Sequence, residues 1–485
     1  MLDDDSLLHI FYLCRPFYEE TDNIRRLVER KREWADERWW YSLVHVCQRW
    51  RNLILSSPSH LGLCLFCKNG TPVADMLAHS PPLPLVIYYH DKDRAFTAND
   101  EEGITLALQS CDRIRCIRLW MSFPNLRKII PAMDKEYPIL EELVIGPTAE
   151  RLEPNTALIL PDTIQAPNLR DLLLADTSIQ TRSRFLTNTK GLVTLCLFQG
   201  SYLPPNTLLH WLSFMPQLED FMVAFSSPTP FLIVETQPSH TPIITQVTLP
   251  NLRRLSFKGV SSYLEEFIGR VVTPSLDRFR VDFFNQPAFS IPCLLKFIST
   301  AETLKYSIAL FKFFDDLGLV AVYPYGTMIH ALGLFIHCPH LNGQVSFMAQ
   351  IFDALCKVIS SVEYLVFGFE NRKLLPDQEE HNQADRAQWR KLLRSFSNTK
   401  TLRIDDWAAK ELSRCLGSDD GEDPLELLPE LQELAYSGTG DLGDTLTSFI
   451  DARQKSSRPV TLVDCSSTPF KPATVTPHSS RSATT

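Results

Sequence analysis

Cys64 and Cys67, spaced Cys-x-x-Cys in LCLFC, are typed for metal or redox chemistry. A zinc site needs four ligands, and no second pair stands at a suitable spacing. Thiol–disulfide chemistry wants such a pair at a helix start, whereas this one falls on an apolar strand. His337-Cys338-Pro339-His340 is likewise short of ligands and reads as a loop. A third candidate is YSGTGDLGD, where Gly438, Gly440 and Gly443 make G-x-G-x-x-G after the strand-like LQELAYS. A helical DTLTSFIDARQ and the strand-like PVTLVD follow. Asp464 stands 21 residues beyond Gly443, as a dinucleotide fingerprint wants. Only 21 residues remain after it, too few for the rest of a nucleotide-binding sheet. No Ser–His–Asp order, P-loop or metalloprotease motif is present. The expectation is a chain with no catalytic residue, no metal site and no cofactor, with a nucleotide-dependent enzyme kept as the third reading.

The elements around these residues repeat. L-x-x-L-x-L, usually after a proline, occurs as LEELVI from Leu140, LRDLLL from Leu169, LVTLCL from Leu192 and LEDFMV from Leu218. It continues as LRRLSF from Leu252, LDRFRV from Leu276, VEYLVF from Val362, TKTLRI from Thr399 and LQELAY from Leu431. The first five spacings are 29, 23, 26, 34 and 24 residues, the period of leucine-rich repeats. The 86-residue gap before Val362 has room for about three degenerate copies, with LKYSIAL near Leu304 and ALGLFIH near Leu332 as candidates. Side chains alternate along a strand, so the fourth and sixth motif residues share one face. Leu172 and Leu174, or Leu255 and Phe257, should point inward. One strand–helix unit cannot bury that face alone, but stacked parallel strands with helices outside can. Similar units begin earlier: residues 63–67, 72–80 and 83–89 read as strand, helix, strand. The fold class is therefore α/β, an irregular leucine-rich-repeat solenoid over 61–464. The residue between the two inward positions should face the concave side. These are Val144, Leu173, Cys196, Met222, Ser256, Arg280, Val366, Arg403 and Ala435. The first six are the candidate substrate-binding positions, and the first four would form an apolar patch for a partner unless a loop or the tail covers them.

Residues 1–60 differ. Leu7, Ile10, Phe11 and Cys14 fall at i, i+3, i+4, i+7 with Leu8 beside them, after three aspartates that suit a helix start. In WWYSLVHVCQRW and beyond, Leu43, Val46, Cys47, Trp50 and Ile54 follow one helical period. Residues 15–38 form a charged insert between the two, and 23–39 read as a solvated helix of mixed sign. Two such stripes are too small to bury each other well, so they should lean on the repeats or on a partner.

LLHIF, then LVHVCQRWRNLI, then SSPS resembles the F-box motif, and its place before leucine-rich repeats is similar to the expanded F-box families of mushroom-forming fungi. Leu7, Leu8, Ile10 and Phe11 match the first helix. Val46, Cys47, Arg49, Trp50, Arg51 and Leu53 match the V-C-x-x-W-R block. Asp3 stands where the family has proline, the 15–38 insert is extra, and His60-Leu61 replaces the closing tryptophan. The resemblance implies a substrate receptor of an SCF-type cullin–RING ubiquitin ligase. Leu7, Leu8, Ile10, Phe11, Val46, Cys47, Trp50 and Leu53 would dock a Skp-type adaptor and through it a cullin. The repeats would hold an unknown protein substrate, and proximity would supply the catalysis. The alternative is a repeat scaffold without a ubiquitin role, its helices only capping the solenoid.

Charge and composition agree with either. The net charge of −9, without a massed basic segment, speaks against a nucleic-acid partner. No apolar run reaches the roughly 18 residues of a membrane span. The acidic start lacks the positive region of a signal peptide, and the 12 scattered cysteines suit a reducing compartment. These point to a cytoplasmic or nuclear protein. Residues 465–485, Ser/Thr/Pro-rich, should be disordered.

Overall fold

A computed structural model describes residues 2–14, 39–90, 95–148, 158–179, 184–199, 203–228, 244–286, 290–301, 304, 306–369, 385–416, 426–438, 442–465, 470–472 and 475. The charged insert, Gly440 and most of the tail lie outside them. The chain divides into two compact units, Met1–Leu252 and Arg253–Thr485.

Unit one opens with four short helices: α1 (Asp4–Leu13), α2 (Tyr41–Val44), α3 (Gln48–Ser56) and α4 (Pro58–Leu61). Asp3 caps α1, its carboxylate accepting from Ser6 N at 2.7 Å. That bond holds the Asp3 carboxyl below its usual range and satisfies one of the free amides at the helix start. The continuous helix expected over Leu43–Ile54 is broken. Cys47 is extended (φ −159°) and caps α3 by accepting from Trp50 N through Sγ. Periodicity alone cannot see such a cap, because Val46 and Cys47 keep helical spacing while leaving the helix. Gly62, at φ 62°, ends α4 in the left-handed conformation that glycine takes without strain.

Seven parallel strands follow: β1 (Leu65–Lys68), β2 (Leu85–His90), β3 (Ile114–Met121), β4 (Glu142–Pro147), β5 (Asp171–Ala175), β6 (Thr194–Gln199) and β7 (Asp220–Phe225). Each pairs with the next in chain order. The inward motif residues behave as their spacing predicts: Leu143, Ile145, Leu172 and Leu174 are completely buried. Between β2 and β3, the helix Ala98–Gln109 starts on a reciprocal capping box between Thr97 and Asp100. Asp100 also accepts from Gly70 N at 2.7 Å, tying that helix to the turn after β1. Before β5, Asn168 donates to Pro138 O of the preceding repeat at 2.6 Å, and Asn251 makes the equivalent bond to Pro216 O at 3.1 Å. These bonds tie the turns of neighbouring repeats together at the surface.

Unit two contains β8 (Arg254–Gly259), β9 (Arg278–Phe283), β10 (Ile308–Phe313), β11 (Leu317–Tyr323), β12 (Leu332–His337), β13 (Tyr364–Phe369), β14 (Thr401–Ile404), β15 (Glu433–Tyr436) and β16 (Thr461–Asp464). Their spatial order is β8-β9-β12-β11-β10-β13-β14-β15-β16. The 86-residue gap does hold three strands, but as an up-and-down meander laid in reverse. β11 runs antiparallel to both neighbours, while β9 pairs with β12 and β10 with β13 in parallel. A stacked core of Phe311, Phe313, Phe367 and Phe369, closed by Trp389, keeps the pattern continuous behind it. Asn398 repeats the turn bond, donating to Ser360 O at 2.7 Å. Each unit is thus an α/β stack of leucine-rich repeats, the second interrupted by a meander. Among the described residues no helix is long and apolar enough to cross a membrane.

Candidate functional site

The N-terminal helices are positioned by Arg49. Its Nη2 donates to Asp4 Oδ1 at 2.7 Å and to Leu2 O at 2.7 Å, while Nε reaches the same carboxylate oxygen at 3.1 Å. Both side chains are well exposed, so the pair adds at most about 1 kcal/mol. Its value is geometric, because it fixes the start of α1 against α3. Arg51 Nε donates to Val44 O at 3.0 Å and holds α3 to α2 in the same way.

This frame divides the eight residues that the F-box resemblance assigns to an adaptor. Leu7 and Phe11 are buried, and Phe11 packs edge-on against Trp50. Leu8, Trp50 and Leu53 are half-buried. Ile10 and Val46 are open, at 41% and 58% exposure, and Cys47 is exposed. Phe11 and Leu7, as placed, form the floor of the unit and not its contact surface. Leu2, Tyr12 and Leu13 were not among the expected contacts, yet all three are exposed, Leu13 at 69%. Leu13 lies three residues after Ile10, which puts both on one helix face; that spacing was the available signal. Of the twelve large apolar side chains exposed among the described residues, six belong to Leu2–Val46.

On the sheet face opposite the inward leucines, Arg118, Val144, Leu173, Cys196 and Met222 align across β3 to β7. Val144, Leu173, Ala175 and Cys196 form one cluster, all nearly or completely buried, with Trp120, Phe198 and Met222 packed on it and half-exposed. Of the four positions expected to form an apolar patch, Val144, Leu173 and Cys196 are completely buried and Met222 is half-exposed. Trp120 lies directly over Gly146, where any Cβ would collide with the indole ring. Beside the cluster, Arg118 and Glu142 form a buried ion pair. In unit two the first two corresponding motif positions are polar. Ser256 is half-buried and Arg280 exposed. The Arg280 guanidinium lies 4.0 Å from the Phe335 ring centroid, and His337 Nε2 lies 2.9 Å from Asp282 Oδ1. Val366, Arg403 and Ala435, the late positions of the row, are buried.

The residues typed for chemistry stand apart from one another. Cys67 is buried on β1, and burial pushes its thiol up to about 12; Cys64 is half-buried, and neither is in a disulfide. No group of three or more His, Cys, Asp or Glu able to hold a metal ion occurs among the described residues. After Gly438, the helix Leu442–Lys455 and β16 follow, with β16 parallel to β15. Arg453 on that helix donates to Leu428 O at 3.2 Å and Leu431 O at 2.8 Å. β15, the helix Leu442–Lys455 and β16 therefore form one more strand–helix–strand repeat, with residues 439–441 outside the described ones. Of the Ser/Thr/Pro tail, expected to be disordered, Cys465, Phe470, Lys471, Pro472 and Val475 are described. Phe470 stacks on Tyr364 and lies under the Arg403 guanidinium. Composition did not flag it, because one aromatic in a polar tail carries no period.

No protein-family profile and no curated protein matches the chain. Among solved structures, a complex of TLR13 with ssRNA13 is similar at 13% identity and a TM-score of 0.31, covering 81% of this chain and 47% of that one. This chain therefore spans about half the length of that relative. The leucine-rich-repeat-containing protein LegL7 from Legionella pneumophila is similar at 11% identity and a TM-score of 0.26, covering 80% of this chain and 97% of that one.

Proposed function

We propose that this leucine-rich-repeat protein is the substrate receptor of an SCF-type cullin–RING ubiquitin ligase, docking a Skp-type adaptor through α1–α3. The observation that carries the reading is the split stripe. Phe11, Leu7 and Ile54 close a small core, while Ile10, Leu13 and Val46 stay open on a frame pinned by Arg49. A helical unit that only capped the repeats would have no reason to keep those three in water. Covering them stabilises a complex by about 25 cal/mol per Å² of apolar surface removed. The V-C-x-x-W-R match supports the same reading, since Cys47 and Trp50 sit where the break and the edge-on ring set the direction of α3. The repeats would then hold a substrate protein near the ubiquitin-carrying enzyme, raising its effective concentration without a reacting group in this chain. The protein would work wherever that ligase works, in cytoplasm or nucleus. Co-purification tests it: the tagged full chain should bring down adaptor and cullin together, and the Ile10→Lys chain should bring down neither. A chain that folds, keeps its helices and brings down neither leaves only the scaffold reading.

A further inference from the structure

The outer face of unit two is not uniform. Leu310, Val366, Arg403 and Ala435 align in one row across β10, β13, β14 and β15. Each is at most 8% exposed. Arg280, at the equivalent position on β9, is exposed. Sheet residues on this face point away from the helices, so their burial needs a cover on that side. Phe470 supplies part of it. Its ring stacks on Tyr364 at 5.8 Å with planes 25° apart, and the Arg403 guanidinium lies 5.7 Å from its centroid. Pro472, two residues on, is buried.

The chain can reach this place without strain. From β16 back to the gap between β13 and β14 is two to three strand spacings, or about 12 Å. The six residues from Asp464 to Phe470 span up to about 20 Å when extended. A stacked ring, a cation over its face and a buried proline two residues later are also how a folded surface reads a short extended peptide.

We propose that the outer face of β13–β15 is a docking groove for an aromatic-x-proline peptide segment, and that Phe470–Pro472 of this chain occupies it as an internal ligand. An external segment of the same chemistry must displace the tail to bind. A short tether gives the internal segment an effective concentration of about 1 mM, so a closed groove implies that the free segment binds with a dissociation constant below that value. This inference is independent of adaptor docking at the other end of the sequence.

The test uses the full chain and a labelled synthetic peptide of residues 466–477, followed by fluorescence anisotropy with the protein raised to several hundred micromolar. The Phe470→Ala chain should bind the peptide at least tenfold more tightly than the wild type. Tyr364→Ala in that background should abolish binding, and a peptide with alanine in place of its phenylalanine should bind neither chain. Equal binding to wild type and Phe470→Ala, or a Phe470→Ala chain that unfolds at the wild-type temperature yet binds no peptide, overturns the proposal. If Tyr364→Ala lowers the unfolding temperature, Arg403→Gln replaces it, with at least a fivefold loss expected and no change overturning the cation's role.

Discussion

The rings of Phe11 and Trp50 meet edge to face, their centroids 4.8 Å apart and their planes inclined at 65°. This one contact joins two stretches separated in sequence by the charged insert. It also sorts the apolar stripe into a floor and a face, because Phe11 is 1% exposed while Ile10, its neighbour in sequence, is 41% exposed. Helical alternation does the sorting: adjacent residues lie about 100° apart around the axis, so only one of the two can face Trp50.

Phe11→Ala should therefore act on folding and Val46→Lys should not. Truncating a buried phenylalanine costs about 3–5 kcal/mol, more than a four-helix fragment of this size holds in reserve. Hydrogen exchange should show the amides of α1 and α3 losing protection while β2–β6 keep theirs. Val46→Lys, at an exposed turn, should change stability by less than about 0.5 kcal/mol and leave the exchange pattern unaltered.

The Arg118–Glu142 pair is buried on both sides, at 2% and 9% exposure of the side chains. Arg118→Met strands a carboxylate in the sheet and should cost about 3–5 kcal/mol. Adding Glu142→Leu removes the stranded charge and should recover most of that loss. Urea midpoints of the two single variants and the double variant form the cycle that measures it.

Cys67 and Cys415 are buried, and burial pushes both thiols up to about 12. The unfolded thiol ionises near 9, so the folded chain stays protonated across the interval in which the unfolded chain loses protons. The stability these two thiols contribute is full below pH 9 and is lost as pH rises from 9 through 12. At pH 8, iodoacetamide followed by peptide mass spectrometry should modify Cys14, Cys47 and Cys356, all exposed, and leave Cys67 and Cys415 unmodified until denaturant is added.

Leu173 and Met222 share a register row but not an environment. Leu173 is fully buried and Met222 half-exposed. Leu173→Glu should lower stability by several kcal/mol, the cost of an unpaired charge in an apolar cluster being of that order. Met222→Lys, whose ammonium can reach water, should cost less than about 1 kcal/mol. Only the second substitution can report on a partner at this face; thermal unfolding of both variants separates the two effects.

The repeats were legible because their physics is local. Two inward apolar residues, two apart, sit at a fixed offset from a turn, and Leu172 with Leu174 or Leu255 with Phe257 needed nothing more. The meander was not legible by that rule. Its first two strands are joined through the tight turn between Phe313 and Leu317, and Asp315-Asp316 between two apolar runs was the hairpin signal available in the sequence. In the N-terminal helices, spacing found the stripe but could not say which side was closed. That depended on Phe11 meeting Trp50 and on the backbone break at Cys47, both set by contacts between distant segments. Phe470 was invisible for the same reason: its partners, Tyr364 and Arg403, lie more than sixty residues away.

Titration calorimetry of a purified Skp-type adaptor into the full chain reaches the central claim most directly. Docking through the exposed Ile10, Leu13 and Val46 predicts a saturable complex with the wild-type chain. It predicts affinity at least a hundredfold lower for Ile10→Lys with Val46→Lys, about 1.4 kcal/mol or more lost per position, at an unchanged unfolding temperature. A wild-type chain whose α1 and α3 amides are protected, yet which gives no heat of binding with adaptor at about 100 µM, a concentration that would reveal complexes of roughly −5 kcal/mol or tighter, would contradict it.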